Sequence, residues 1–324
     1  MNQILPTSAD IAAAAEQVYR IMPPTPQYCW PLLGRLTGAE IWVKHENHSP
    51  IGAFKVRGGL TFMAALRRER PDVTGVVSAT RGNHGQSIAL AATHFGLKAT
   101  IVVPHGNSRE KNAAMAALGA ELIEHGHDFQ AAAEHAAALE HQGRLFRVPS
   151  FHPWLVRGVA TYGWELLNAV PTLDTIYVPI GLGSGICGVI AAREALGSKT
   201  EIVGVVAELA PTYALSFAAG RPTPTNSADT FADGLAVRVP DPQALDILRR
   251  HAARIVTVGE SEIKAAICDY FSATHNVAEG AGAAALAAAM QERGRLQGKR
   301  VGLILSGGNI DRTVLAPILA QTDI

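Results

Sequence analysis

Lys55 stands in the run Ser49-Pro50-Ile51-Gly52-Ala53-Phe54-Lys55-Val56-Arg57-Gly58-Gly59, directly after an aromatic residue and where the pattern predicts the first turn of a helix. A buried lysine there, facing the positive end of the helix dipole and with Arg57 two residues on, is expected to have a lowered pKa. The free amine would then be a nucleophile, the group that carbonyl chemistry and Schiff-base cofactors require. A solvated lysine at a helix start is the commoner arrangement, so Lys55 takes its weight from the residues that accompany it.

Three segments supply complementary chemistry, each directly after an apolar run. The first is Ala79-Thr80-Arg81-Gly82-Asn83-His84-Gly85-Gln86, whose glycines allow close approach to a ligand and whose Asn83 offers both a donor and an acceptor. The second is Gly181-Leu182-Gly183-Ser184-Gly185, whose main-chain N–H groups and Ser184 hydroxyl suit a phosphate at a helix N-terminus. The third is Ser306-Gly307-Gly308-Asn309, a hydroxyl delivered at a strand end. An amine, an amide, a phosphate cradle and a hydroxyl are together what a phosphate-bearing aldehyde cofactor uses.

The middle segment has a rival reading. Gly183-x-Gly185-x-x-Gly188 is a GxGxxG that follows a strand, with Glu208 20 residues beyond Gly188 where a ribose-binding acid would stand. On that segment alone, an NAD-dependent oxidoreductase and simple glycine-mediated packing are both alternatives. The dinucleotide reading leaves Lys55, Asn83 and Ser306 unexplained.

Short β-branched runs alternate with Ala-rich stretches and must position these groups. Strands are expected at 75–78, 99–103, 121–124, 145–148, 175–179, 201–207 and 300–305. Helices are expected at 87–95, 109–118, 129–142, 155–169 and 187–196, with Gly96, Gly119, Gly143 and Gly197 as left-handed caps. Asn107 with Glu110 has the spacing of a capping box, and residues 210–242 look like loop and short helix. The alternation predicts an α/β fold with parallel sheets, in which ligands gather at the carboxyl ends of strands.

The 324 residues suffice for about two domains, and a formal net charge of zero gives no electrostatic case for nucleic acid or anionic membrane. Cys29, Cys187 and Cys268 lack metal-ligand spacing and fit a reduced, cytoplasmic protein. No signal peptide or membrane-spanning run is apparent.

With Gly52-Ala53-Phe54-Lys55-Val56-Arg57-Gly58, Gly82-Asn83-His84-Gly85-Gln86 and Ser306-Gly307-Gly308-Asn309 in this order, the chain resembles the serine/threonine dehydratase and serine racemase group of fold-type II pyridoxal-phosphate enzymes, over roughly residues 31–311. The resemblance implies two parallel-sheet α/β domains, a large one of residues 1–47 and 151–324 and a small one of residues 48–150, with the cofactor between them. It implies Lys55 as the Schiff-base lysine, Phe54 near the ring and Asn83 on the ring hydroxyl oxygen. It further implies Gly181, Leu182, Gly183, Ser184 and Gly185 around the phosphate, and Ser306 at the pyridine nitrogen. Thr80, Arg81, Gly82 and His84 become candidates for substrate contact. A homodimer, a small amino-acid substrate and a catabolic form without a C-terminal regulatory domain are also expected on this basis.

Several positions depart from the family pattern. The phosphate loop lacks four consecutive glycines, so Leu182 and Ser184 should keep negative φ. Arg81 stands where racemases have a proton-carrying serine, and arginine is too basic for that task. It could instead pair with a substrate carboxylate or the cofactor phosphate. Ile51 and Ala53 replace hydroxyl residues, which suggests room for a bulkier β-substituent, as in L-threo-phenylserine. Glu208 matches one acid of the metal site found in racemase-like members, but Ala214 stands near the second, so no metal is assigned. The expected activity is a dehydratase (ammonia-lyase) of β-hydroxy-α-amino acids; racemisation and nicotinamide chemistry are the alternatives.

Overall fold

A computed structural model describes residues 5–142 and 145–320. The expected cap at Gly143 lies outside the described residues. Among the described residues, ten strands form two sheets: β1 (Gln27–Cys29), β2 (Glu40–His45), β3 (Gly75–Ala79), β4 (Lys98–Val103), β5 (Ala120–Glu124), β6 (Leu145–Arg147), β7 (Thr175–Pro179), β8 (Glu201–Ala207), β9 (Arg254–Val258) and β10 (Arg300–Leu305). The six-stranded sheet has the order β1-β2-β10-β7-β8-β9 and the four-stranded sheet β5-β4-β3-β6. All pairings are parallel except β1 with β2. Fully buried β3 and β7 read Gly-Val-Val-Ser-Ala and Thr-Ile-Tyr-Val-Pro, the near-continuous apolar pattern of strands covered on both faces.

Strands β1, β2 and β9 are not among those expected from the sequence. β2 reads Glu-Ile-Trp-Val-Lys-His, and charges inside a buried strand disguise it. Lys44 is buried because Glu165 Oε2 accepts from its Nζ at 2.5 Å. That pair belongs to a buried network centred on Arg57, which donates to Glu46, Glu165, Thr25 and Thr161. The network ties the first turn of the Lys55–Glu69 helix to the end of β2 and to the Pro153–Ala169 helix. The two helices also cross closely: a Cβ on Gly158 would lie 2.1 Å from the Arg57 carbonyl oxygen, and one on Gly58 2.9 Å from that of Leu155. Lys55 thus rises from a rigid support.

Besides the helix expected at 155–169, which starts at Pro153, two helices begin well ahead of their expected starts. They span Asn83–His94 and Ser184–Leu196, so both glycine-containing motifs supply the first turn of a helix. The helix Arg109–Ala117 is capped by Ser108, whose Oγ accepts from the Lys111 N–H at 3.0 Å. The expected Asn107 cap is therefore corrected, since the Asn107 amide donates to Asn112 instead. No helix among the described residues is long and apolar enough to cross a membrane.

Candidate active site

The carboxyl ends of β3, β7 and β10 meet at a cavity of about 680 Å³ between the two sheets. Backbone pairing brings two of the motifs together: Ala53 bridges Gly307, Phe54 N–H donates to the Ser306 carbonyl, and Gly308 N–H to that of Gly52. Lys55 consequently faces the cavity beside Ser306, which also lines it.

Lys55 Nζ lies 3.3 Å from Ser184 Oγ and 4.9 Å from the Phe54 ring centroid. Burial lowers its pKa to about 8, with Glu279 opposing the shift. Arg57 is not the cause, because its guanidinium is committed to the carboxylates beneath. The direction expected from the sequence holds, and of the causes expected there burial carries it while Arg57 does not.

Gly181 to Gly185 wrap the start of the Ser184–Leu196 helix. Within the segment only Gly183 has a positive φ, +100°, so Leu182 and Ser184 keep ordinary conformations. Tyr213 Oη donates to the Leu182 carbonyl and Tyr162 Oη to that of Gly185, both at 2.9 Å. A Cβ on Gly181 would sit 2.4 Å from the Gly234 carbonyl oxygen. The result is a braced concavity of helix-terminal N–H groups, suited to an anion.

Across the cavity, Thr80 is buried and its Oγ1 accepts from the N–H groups of Gly82 and Gly85, so it braces its own loop. Asn83 has both ends of its amide engaged: Oδ1 accepts from Asn309 Nδ2 at 2.8 Å and Nδ2 donates to Glu279 Oε1 at 2.6 Å. His84 lines the cavity with its Nε2 lacking a hydrogen-bond partner. Burial, reinforced by the Lys55 charge, depresses its pKa to about 3 and keeps it neutral. Arg81 is partly exposed, with Nε 3.7 Å from Asp233 Oδ1.

Other expected features fall outside this site. Ile51 and Ala53 are buried in protein and do not line the cavity, which removes the sequence argument for a larger pocket. Glu208 is exposed and likewise absent from the lining, and no cluster of metal-ligating side chains is found among the described residues. A Cβ on Gly188 would strike Val159 and Ala160 at 2.8 and 2.9 Å, so that glycine serves helix packing. Conversely, no sequence motif points to Lys111 or Asp233, or gives Glu279 a role. Lys111 Nζ lies 3.2 Å from Asp233 Oδ2 and 3.6 Å from Glu279 Oε2. Burial works against the Lys111 charge, but the two carboxylates raise its pKa; burial pushes Glu279 up. Residues more than a hundred positions apart carry no mutual spacing signal.

The family model for pyridoxal-phosphate dependent enzymes matches residues 19–307. The chain belongs to the pyridoxal-phosphate dependent enzyme family. It is 34% identical to the L-threonine ammonia-lyase of Thermotoga maritima, over 97% of this chain and 78% of that one. It is 33% identical to the L-threo-3-hydroxyaspartate ammonia-lyase of Saccharomyces cerevisiae, over 98% and 97%. Among solved structures, threonine deaminase isoform 2 of Solanum lycopersicum superposes with a TM-score of 0.89 at 28% identity, covering 98% of this chain and 96% of that one. Family membership displaces the dinucleotide alternative. The cleft also suits pyridoxal phosphate on its own chemistry. It offers an amine of lowered pKa, a helix-terminal cradle that a Cβ on Gly181 would disturb, and an orphaned imidazole nitrogen.

Proposed function

We propose that this chain is a pyridoxal-phosphate-dependent ammonia-lyase that converts β-hydroxy-α-amino acids such as L-threonine and L-serine into a 2-keto acid and ammonia. The observation that carries this reading is Lys55 Nζ poised 3.3 Å from Ser184 Oγ at the helix-terminal cradle, with a lowered pKa. Bound pyridoxal phosphate supplies the electron sink for chemistry at Cα. Lys55 Nζ would hold the aldehyde carbon of the bound group and, when free, would stand ready to take a proton from the substrate's Cα. The N–H groups of Gly181–Gly185 and the Ser184 hydroxyl would hold the phosphate, with Phe54 and Asn83 among the cavity-lining residues that would flank the ring. Gly82, Asn83 and their neighbours Thr80 and His84 form the wall that receives the substrate.

Ser306 lines the cavity and would offer the ring nitrogen a hydroxyl, which does not stabilise a protonated pyridine; the weaker sink would suit elimination. Arg81 cannot serve as a second acid/base, which argues against a racemase-like activity. The four-stranded sheet falls within residues 48–150, which supports taking that segment as a small domain. A second substrate reading, L-threo-phenylserine, now draws support from Phe129, Leu182, Leu235 and Val237 along the cavity wall instead of Ile51 and Ala53. A homodimer is supported by exposed Tyr28, Leu32 and Leu36 on edge strand β1 and the helix after it. Three free cysteines accord with a cytoplasmic location.

The purified protein should absorb near about 410–420 nm, the band of a lysine-linked cofactor. Borohydride should abolish that band and fix the cofactor's mass on Lys55, and threonine should release ammonia. Lys55→Ala should lose both band and turnover. An unchanged spectrum and rate in that variant would end this reading.

A further inference from the structure

We propose that Asp233 decides which charge the cleft accepts on the substrate's β-carbon, by pairing with buried Lys111 and exposed Arg81 and so withholding them from a second substrate carboxylate. The inference rests on the ammonia-lyase reading. Asp233 stands in the short turn Asp233–Leu235, on the wall opposite the Arg109–Ala117 helix. Its Oδ2 accepts from Lys111 Nζ at 3.2 Å, and its Oδ1 lies 3.7 Å from Arg81 Nε. Lys111 is nearly enclosed and shares its charge with Glu279 Oε2 at 3.6 Å. The two cations come from segments that follow β3 and β4, and the two carboxylates from segments that follow β8 and β9, so the pairs close across the cleft.

The remaining charges deepen the effect. Besides Arg81 and Lys111, the basic residues on the described cavity wall are Lys55, His84 and Arg238. Lys55 serves the cofactor, His84 is buried, and Arg238 is exposed at the outer edge. Asp128 and Asp229 add carboxylates to that wall. The phosphate cradle uses N–H groups and the Ser184 hydroxyl with no basic side chain among Gly181–Gly185, so the bound phosphate leaves the cleft more negative. A carboxylate on Cβ would enter this field without a free partner, whereas a methyl or aryl group would meet Leu235 and Val237. Asp233 is thus a specificity-determining residue.

The test compares L-threonine with L-threo-3-hydroxyaspartate as substrates of the holoenzyme, and propionate with succinate as calorimetric ligands that do not react. Wild type should favour threonine in kcat/KM by about tenfold or more, and propionate should bind more tightly than succinate. Asp233→Asn should shift both ratios towards the dicarboxylate by about tenfold. Arg81→Met, which removes a cation already committed, should leave the ratios of the wild type within about twofold. Equal or better turnover of hydroxyaspartate by the wild type would overturn the proposal. So would Asp233→Asn ratios that do not move, or a selective loss of hydroxyaspartate turnover in Arg81→Met. Release of ammonia from neither of these amino acids nor from L-threo-phenylserine would instead overturn the lyase reading, while the calorimetric ratios would still decide the role of Asp233. Should Asp233→Asn fail to fold, the wild-type ratios and those of Arg81→Met still decide between the two outcomes.

Discussion

Replacing Arg57 by methionine keeps most of the side chain's bulk and removes the charge at the centre of the buried network beneath Lys55. The guanidinium reaches Glu46 at 2.7 and 3.0 Å, Glu165 at 2.6 and 2.9 Å, Thr161 at 2.8 Å and Thr25 at 3.1 Å. Without it, Glu46 and Glu165 share Lys44 as their one remaining cation in the network, leaving one buried carboxylate uncompensated. Breaking such a pair by removing one partner costs about 3–5 kcal/mol, a large part of the roughly 5–15 kcal/mol that holds a typical domain together. Urea unfolding of the holoenzyme measures the loss. The pH dependence separates lost charge compensation from lost packing. In Glu165, burial raises the pKa, but Arg57 and then Lys44 outweigh it and leave the group lowered. The wild type therefore gains stability from Glu165 above that group's unfolded pKa and loses it as pH falls. In the variant the carboxyl moves upward, so its contribution is lost as pH rises. Both terms make the deficit larger at pH 8 than at pH 5. A loss under about 1 kcal/mol, or an equal loss at both pH values, would refute the reasoning.

Further outcomes follow from the geometry of the cleft. Covalent attachment of pyridoxal phosphate to the apoprotein should accelerate as pH rises through about 8, where buried Lys55 becomes neutral. Glu279→Gln should move that midpoint down, because Glu279 supports the protonated amine; stopped-flow absorbance reads both, and a rise confined to the ordinary lysine range would contradict them. Gly181→Ala forces a Cβ to within 2.4 Å of the Gly234 carbonyl oxygen, whereas the added Cβ of Gly185→Ala finds its nearest neighbours at 3.4 Å. The first should weaken cofactor binding in equilibrium dialysis by about 1–3 kcal/mol and the second by less than about 1 kcal/mol; equal effects would count against the cradle. Ser184→Ala should weaken cofactor binding by about 1 kcal/mol while leaving Lys55 modifiable by borohydride trapping, and no change in affinity would remove Ser184 from the phosphate site.

The α/β class was legible because buried parallel strands such as β3, β7 and β8 demand unbroken apolar runs, and helices between them leave a different period. β2 was not, since Lys44 and His45 look like surface residues until their partners are known. The early start of the Asn83 helix is hidden for a related reason: glycine-rich motifs read as loops although they form a helix's first turn. The chemical identities at the site were also written locally. Lys55, Asn83, Ser184 and Ser306 sit in short motifs whose residue types state what they can bind or donate. What no motif could state was the company each keeps. Lys55 owes its lowered pKa to burial in the folded cleft, and Arg57 turns away from it towards Glu46 and Glu165. Ile51 and Ala53 proved to be buried, while Lys111 and Asp233, 122 positions apart, meet across the cavity. Local sequence fixes the reactive groups because covalent neighbours travel together. Only the tertiary fold decides desolvation and charge pairing, because these depend on groups that the chain brings together from afar.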